Sequence, residues 1–184
     1  LQVFQKFNIM EYKDSLTIAM TKLGKMDDTI FLGQQILFPG NPMSSTLVDV
    51  PKEKMVELPV MEDSQMGMSL GIAMTGKFVI TFYPRWDFLI CAANQLINHV
   101  DKMELMSNGQ WKPNMIIRVG KGSEIPLNPG PQHRNNYFKE FQSITQTIKF
   151  FDCLTADDVK NAYDHAINEG GITLINEYPE KYNS

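Results

Sequence analysis

The feature that most restricts the fold is a recurrence of short apolar runs rich in β-branched residues. They are "TIFLG" 29–33, "MVELPV" 55–60, "KFVITF" 77–82, "NMIIRV" 114–119, "TIKFFDC" 147–153 and "GITLIN" 171–176. Turn residues bound each run, and the apolar positions are continuous rather than alternating, as in strands covered on both faces. Helical spacing fills the intervals. Residues 11–25 place Leu16, Ala19, Met20 and Leu23 on one face, and residues 62–75 place Met66, Leu70 and Met74 in an i, i+4, i+8 row. Residues 87–106 repeat apolar positions at Leu89, Ala93, Leu96, Val100 and Met103. A last helix is expected over 155–168, opened by Thr155 as N-cap with Asp157 and Asp158 in the first turn, where the helix dipole favours acids. Alternation of this kind predicts an α/β fold. The expected form is a three-layer sandwich, a mostly parallel six-stranded sheet with helices on both faces.

The chain has 184 residues, enough for one domain with a substantial core. A net charge of −4 argues against a nucleic-acid surface, which needs clustered Lys and Arg to displace counterions. No apolar run reaches the roughly 18 residues of a membrane-spanning helix. The first ten residues, "LQVFQKFNIM", lack the apolar core and cleavage site of a secretory signal, and they read as an N-terminal extension or leader before a domain over 11–184. Cys91 and Cys153 have no metal or disulfide spacing and are expected as buried, reduced thiols in a cytoplasmic protein. The irregular stretches 34–54 and 120–137 are expected at the carboxyl ends of the strands, where ligands of such folds bind.

No Walker loop, no dinucleotide-binding G-x-G-x-x-G, no G-x-S-x-G elbow and no H-E-x-x-H helix is present. Three features remain. Glu62 follows the run ending at Val60 and opens a helix that carries Gly67 and Gly71. An acid in a first helical turn is a favourable dipole partner in any case. The glycines, however, cost that helix roughly 1 kcal/mol each against alanine, a loss usually recovered by close approach of another backbone. His133 lies in the Pro- and Gly-rich loop "NPGPQHRNN", as an exposed histidine without a role or as an acid/base beside a ligand. "TFYPRWDF", 81–88, sets four aromatics across a strand end, for core packing or for stacking on a planar heterocycle. His99 and His165 fall within helices and read as structural.

Taken in order, these segments resemble the pyrimidine-binding domain of thiamine-diphosphate enzymes. The resemblance is strongest to the beta subunits of pyruvate and branched-chain 2-oxo acid dehydrogenases, and next to the transketolase-type domain. Its signature is a Glu, four residues, a Gly, an apolar residue, two more residues and a second Gly. Here these are Glu62, Gly67, Met68 and Gly71. "GIAMTGK", "DFLICAANQLINHVDKM" and the loop "PQHRNNYF" follow in register, so the similarity runs from about residue 11 to 178.

The resemblance implies that Glu62 hydrogen-bonds N1′ of the aminopyrimidine and that His133 orients the acceptor or transfers protons. It further implies that one of Phe82, Tyr83 or Trp86 stacks on the ring, that Gln34 stands in the site's wall, and that Gly67 and Gly71 pack across a chain interface. There are departures. Gly33-Gln34-Gln35 replaces a Gly followed by acids, "FYPRWDF" is longer by one residue, Arg134 follows His133 where a Ser is usual, and the C-terminal domain of beta subunits does not follow. The chain is therefore expected to be a stand-alone domain or one cut at that boundary. No Gly-Asp-Gly diphosphate motif occurs. Thiamine diphosphate and its Mg²⁺ then require an alpha-subunit-like partner, in a heterotetramer or alongside a self-dimer. The activity implied is 2-oxo acid decarboxylation with acyl or aldehyde transfer. A split transketolase-like aldehyde transferase and a non-catalytic partner-binding relative are the alternatives.

Overall fold

The computed structural model describes residues 11–38, 40–125 and 128–182, so the extension expected over residues 1–10 lies outside them. Six strands form one sheet: β1 (Thr29–Gly33), β2 (Met55–Glu57), β3 (Phe78–Tyr83), β4 (Asn114–Gly120), β5 (Lys149–Asp152) and β6 (Ile172–Glu177). Their order is β2-β1-β3-β4-β6-β5, and every neighbouring pair is parallel. The sheet is thus wholly parallel rather than mostly so. Six α-helices accompany it: α1 (Tyr12–Gly24), α2 (Glu62–Ala73), α3 (Trp86–Leu89), α4 (Met103–Met106), α5 (Phe138–Ile144) and α6 (Ala156–Glu169).

The period-2 pleat sorts the strand side chains into two cores. Phe31, Ile80, Ile116 and Ile175 face α1 and α6, with Leu16, Met20, Val159 and Tyr163. Leu32, Val79, Ile117 and Leu174 face the opposite layer, with Met66, Leu70, Leu96 and Val100. Strands β3, β4 and β6 are buried almost throughout, which explains their continuous apolar runs, whereas the edge strands β2 and β5 are partly exposed.

Two expectations need correction. The run 55–60 forms only three residues of strand, because Pro59 has no N–H for the ladder. The helix expected over 87–106 is broken into α3, a 3-10 turn (Ile90–Ala92), a π-helical turn (Gln95–Val100) and α4. Its apolar face is still buried at Leu89, Leu96 and Val100. The final helix begins as its sequence indicates. Thr155 and Asp158 form a reciprocal capping box.

Candidate functional site

Strand β1 pairs with β2 on one side and β3 on the other, so the chain reverses its direction of travel across the sheet there. In open parallel sheets the crevice above such a reversal is where ligands bind. A cavity of about 900 Å³ opens at that place, walled by the ends of β1, β2, β3 and β4 and by the two irregular stretches. Gln34, Glu57, Glu62, Arg85, Phe88 and Lys121 are its most chemically informative residues.

Glu62 is the first residue of α2 and is half-buried. Its carboxylate makes no hydrogen bond or ion pair among the described residues. Leu58, Pro59 and Val60 precede it along the same wall, and Phe88 also lines the cavity. An ionisable group beside apolar residues interacts more strongly with an entering donor as water is excluded. Gln34 lines the cavity, and its carbonyl accepts from Asn41 Nδ2.

None of the three aromatics from which one was expected to stack on a ligand lines the cavity. Phe82 turns into the α1/α6 core, where the Arg118 guanidinium lies 4.8 Å from its ring centre. Tyr83 is buried on the other face and donates its hydroxyl to the Glu62 carbonyl at 3.2 Å, and burial pushes its phenol far above the ordinary value. Trp86 has no exposed surface, and its Nε1 donates to Asn176 Oδ1 at 2.7 Å. The cause is the length of β3, which runs through Tyr83 and keeps both strand aromatics inside. The Pro84-Arg85 turn then brings Phe88, not Trp86, to the wall.

His133 stands beside the cavity rather than on its lining. Its ring lies 5.4 Å from that of Phe88, and its carbonyl accepts from Arg85 Nη1 at 2.9 Å. The loop fits because β4 is followed by Gly122, where a side chain would overlap Arg134 and the His133 carbonyl. Gly67 faces Gln95 of its own chain, which a Cβ there would approach at 3.4 Å. Gly71 is open, with nothing within 4 Å of a Cβ among the described residues. Cys153 is buried, and burial pushes its thiol up, but Cys91 is exposed, contrary to expectation, because the 90–92 turn places it outward.

Three features were not foreseen. Glu57 ends β2 and accepts from the backbone N–H groups of Gln35, Ile36 and Leu37, the last two at 2.9 Å. It supplies an acid to the wall that Gln34 and Gln35 do not, and it holds Gln35 at φ +55, a conformation most side chains avoid. Its place at a strand's carboxyl end was the available signal. The second is a helix, α5. The third lies beneath the cavity. Arg118 and Glu177 are fully buried and paired through two hydrogen bonds at 2.6 and 2.8 Å, with Tyr163 and Tyr182 also donating to Glu177. Tyr182 reaches the cavity wall from this network.

No protein-family model matches the chain. It is 26% identical over 179 residues to the 2-oxoisovalerate dehydrogenase subunit beta of Bacillus subtilis (strain 168), covering 95% of this chain and 54% of that protein. It is 24% identical over 170 residues to the mitochondrial pyruvate dehydrogenase E1 component subunit beta of Saccharomyces cerevisiae, covering 90% of this chain and 46% of that one. The chain spans about half the length of these relatives. Among solved structures, a split gene transketolase, described as an inactive beta4 tetramer, superposes with a TM-score of 0.71 at 14% identity. That match covers 92% of this chain and 52% of the other. In sequence the chain is similar to the beta subunits of 2-oxo acid dehydrogenases, and in fold it matches a transketolase-type chain.

Proposed function

We propose that this chain is the pyrimidine-binding half of a thiamine-diphosphate enzyme that decarboxylates a 2-oxo acid and transfers the acyl or aldehyde fragment. The observation that carries the reading is Glu62, a carboxylate unpaired among the described residues, on the wall of the switch-point cavity, in a chain similar to dehydrogenase beta subunits. The donor set fits the cofactor's aminopyrimidine. A carboxylate for N1′ stands next to apolar Leu58, Pro59 and Val60, with the Phe88 ring also on the wall.

When bound, thiamine diphosphate supplies the carbon nucleophile and the electron sink for the 2-oxo acid. The chain's part is to hold and move protons and to exclude water. Glu62 shares a proton with N1′, a role that needs one group able both to donate and to accept in a weakly solvated slot. Glu57 fixes the 35–37 backbone so that the wall does not collapse. His133 transfers a proton at the acceptor side. No Gly-Asp-Gly motif is present in the sequence. Mg²⁺ and the diphosphate are therefore assigned to an alpha-type partner, two of each chain forming a heterotetramer. The free thiols suit the cytoplasm.

Calorimetric titration of thiamine diphosphate and Mg²⁺ tests this. Binding is expected only when the chain is mixed with its partner, and Glu62→Ala should weaken it roughly ten- to a hundredfold, the worth of one charge-assisted hydrogen bond. Tight binding by the lone chain would overturn the shared site. No change with Glu62→Ala in a complex that still forms would overturn the role of Glu62.

A further inference from the structure

Segment 85–88 and the loop 131–135 are joined at more points than packing alone requires. Arg85 Nη1 donates to the His133 carbonyl at 2.9 Å, Asn135 Nδ2 donates to Asp87 Oδ1, and the Phe88 and His133 rings meet at 5.4 Å. Behind the loop, Gly122 leaves no room for it to retreat, and Gly122 N donates to the Asn135 carbonyl at 3.3 Å. Two buried polar atoms in this cluster have no partner among the described residues, Nδ1 of His133 and Oδ2 of Asp87. One can donate and the other can only accept. A buried acceptor and a buried donor left unsatisfied in one cluster cost stability until they meet, directly or through a single water.

We propose that Asp87 is the positioning residue of His133, drawing Nδ1–H toward its carboxylate so that Nε2 is the nitrogen left free beside the cavity. The inference rests on the reading of the cavity as a reaction site, but only for its consequence; the Asp87–His133 relation is argued from the two partnerless atoms and from the contacts that join their segments. Other charged groups at the loop do not compete for the ring. Arg85 is spent on a carbonyl, and Arg134 is paired with Glu124. Neutral histidine in water favours the proton on Nε2, so a carboxylate on Nδ1 reverses the tautomer and has a spectroscopic signature.

The test is ¹⁵N NMR of the histidine-labelled chain, read with the imidazoles neutral, on the chain alone and mixed with its partner. His99 and His165 serve as internal references. His133 is expected as the Nδ1–H tautomer, to revert to Nε2–H in Asp87→Asn and to recover in part in Asp87→Glu. The Nε2–H form in the unmodified chain overturns the proposal and needs no variant that might misfold. So does a folded Asp87→Asn protein whose His133 signals do not change. In the assembled enzyme the same substitution should lower kcat about tenfold or more with KM little changed. Because the NMR arm needs no cofactor, a confirmed tautomer beside absent turnover would refute the proposed function and leave the Asp87–His133 relation intact.

Discussion

Asp101 has no exposed surface, yet its surroundings keep it charged. Burial alone would raise its pKa. The Lys102 ammonium at 2.6 Å and the backbone N–H groups of Thr147 and Gln146, each at 2.8 Å, outweigh that and lower it. A carboxylate whose folded-state pKa lies below its unfolded value contributes stability above the unfolded pKa, and that stability is lost as the pH falls through the folded one. Asp101→Asn should therefore cost about 1–3 kcal/mol at neutral pH. Melting curves of the two proteins should converge as the pH drops below about 4, where the parent's advantage disappears. Curves that stay parallel would show that shape, not charge, holds residues 146–147. Such pairings left no trace in the sequence. Asp101 meets its backbone partners 45 and 46 positions away, and Arg118 sits inside the apolar run "NMIIRV" while Glu177 lies 59 positions on. Local pattern reports which face a residue occupies. It does not report what that residue meets there.

Elements were far more legible, because a strand or helix is written in consecutive residues. The run 29–33 is β1 without a shift, and the Thr155 cap starts α6 where the hydroxyl and Asp158 place it. Misreadings came where tertiary contacts override period, as in the interrupted 86–106 segment. Helix α2 is the informative case. Its outer face carries Met68, 45% exposed, and the open Gly71, whereas Gly67 already has a neighbour in Gln95. Alanine at position 71 meets nothing in the lone chain and relieves the entropy of a mid-helix glycine. Gly71→Ala should thus stabilise the isolated chain by roughly 0.5–1 kcal/mol. If another helix backbone approaches there, the same methyl group should weaken assembly. Thermal melts of the chain and titration with the proposed partner read the two effects separately. A variant more stable alone and undiminished in pairing would remove Gly71 from any interface.

At the scale of the molecule, the cavity is walled on the side the sheet supplies and open on the other. Its mouth carries residues that a finished surface seldom leaves in water. Val60 and Ile125 line it while 77% and 72% exposed, and Met61 and Phe38 extend the apolar rim along the same loops. The helix behind Glu62 and the place of the loops 34–54 and 120–137 were legible in the sequence, but the apolar rim was not, since only the fold sets the course of those loops. Apolar residues around a functional opening mark a surface that another surface covers. Val60 makes the case testable. So exposed a side chain contributes little to the fold, and Val60→Asp should change the lone chain's stability by no more than about 0.5 kcal/mol. Within a sealed seam the same carboxylate would lose its water without gaining a partner, a penalty large enough to weaken assembly about a hundredfold or more. Sedimentation of the mixed chains separates these outcomes. Loss of the complex with an unchanged melt places the seam at the cavity mouth, so that the partner closes the site over Glu62. A complex that forms as before would mean the partner docks elsewhere and Glu62 works in a cavity open to solvent, where its carboxylate could not hold the proton the proposed chemistry asks of it.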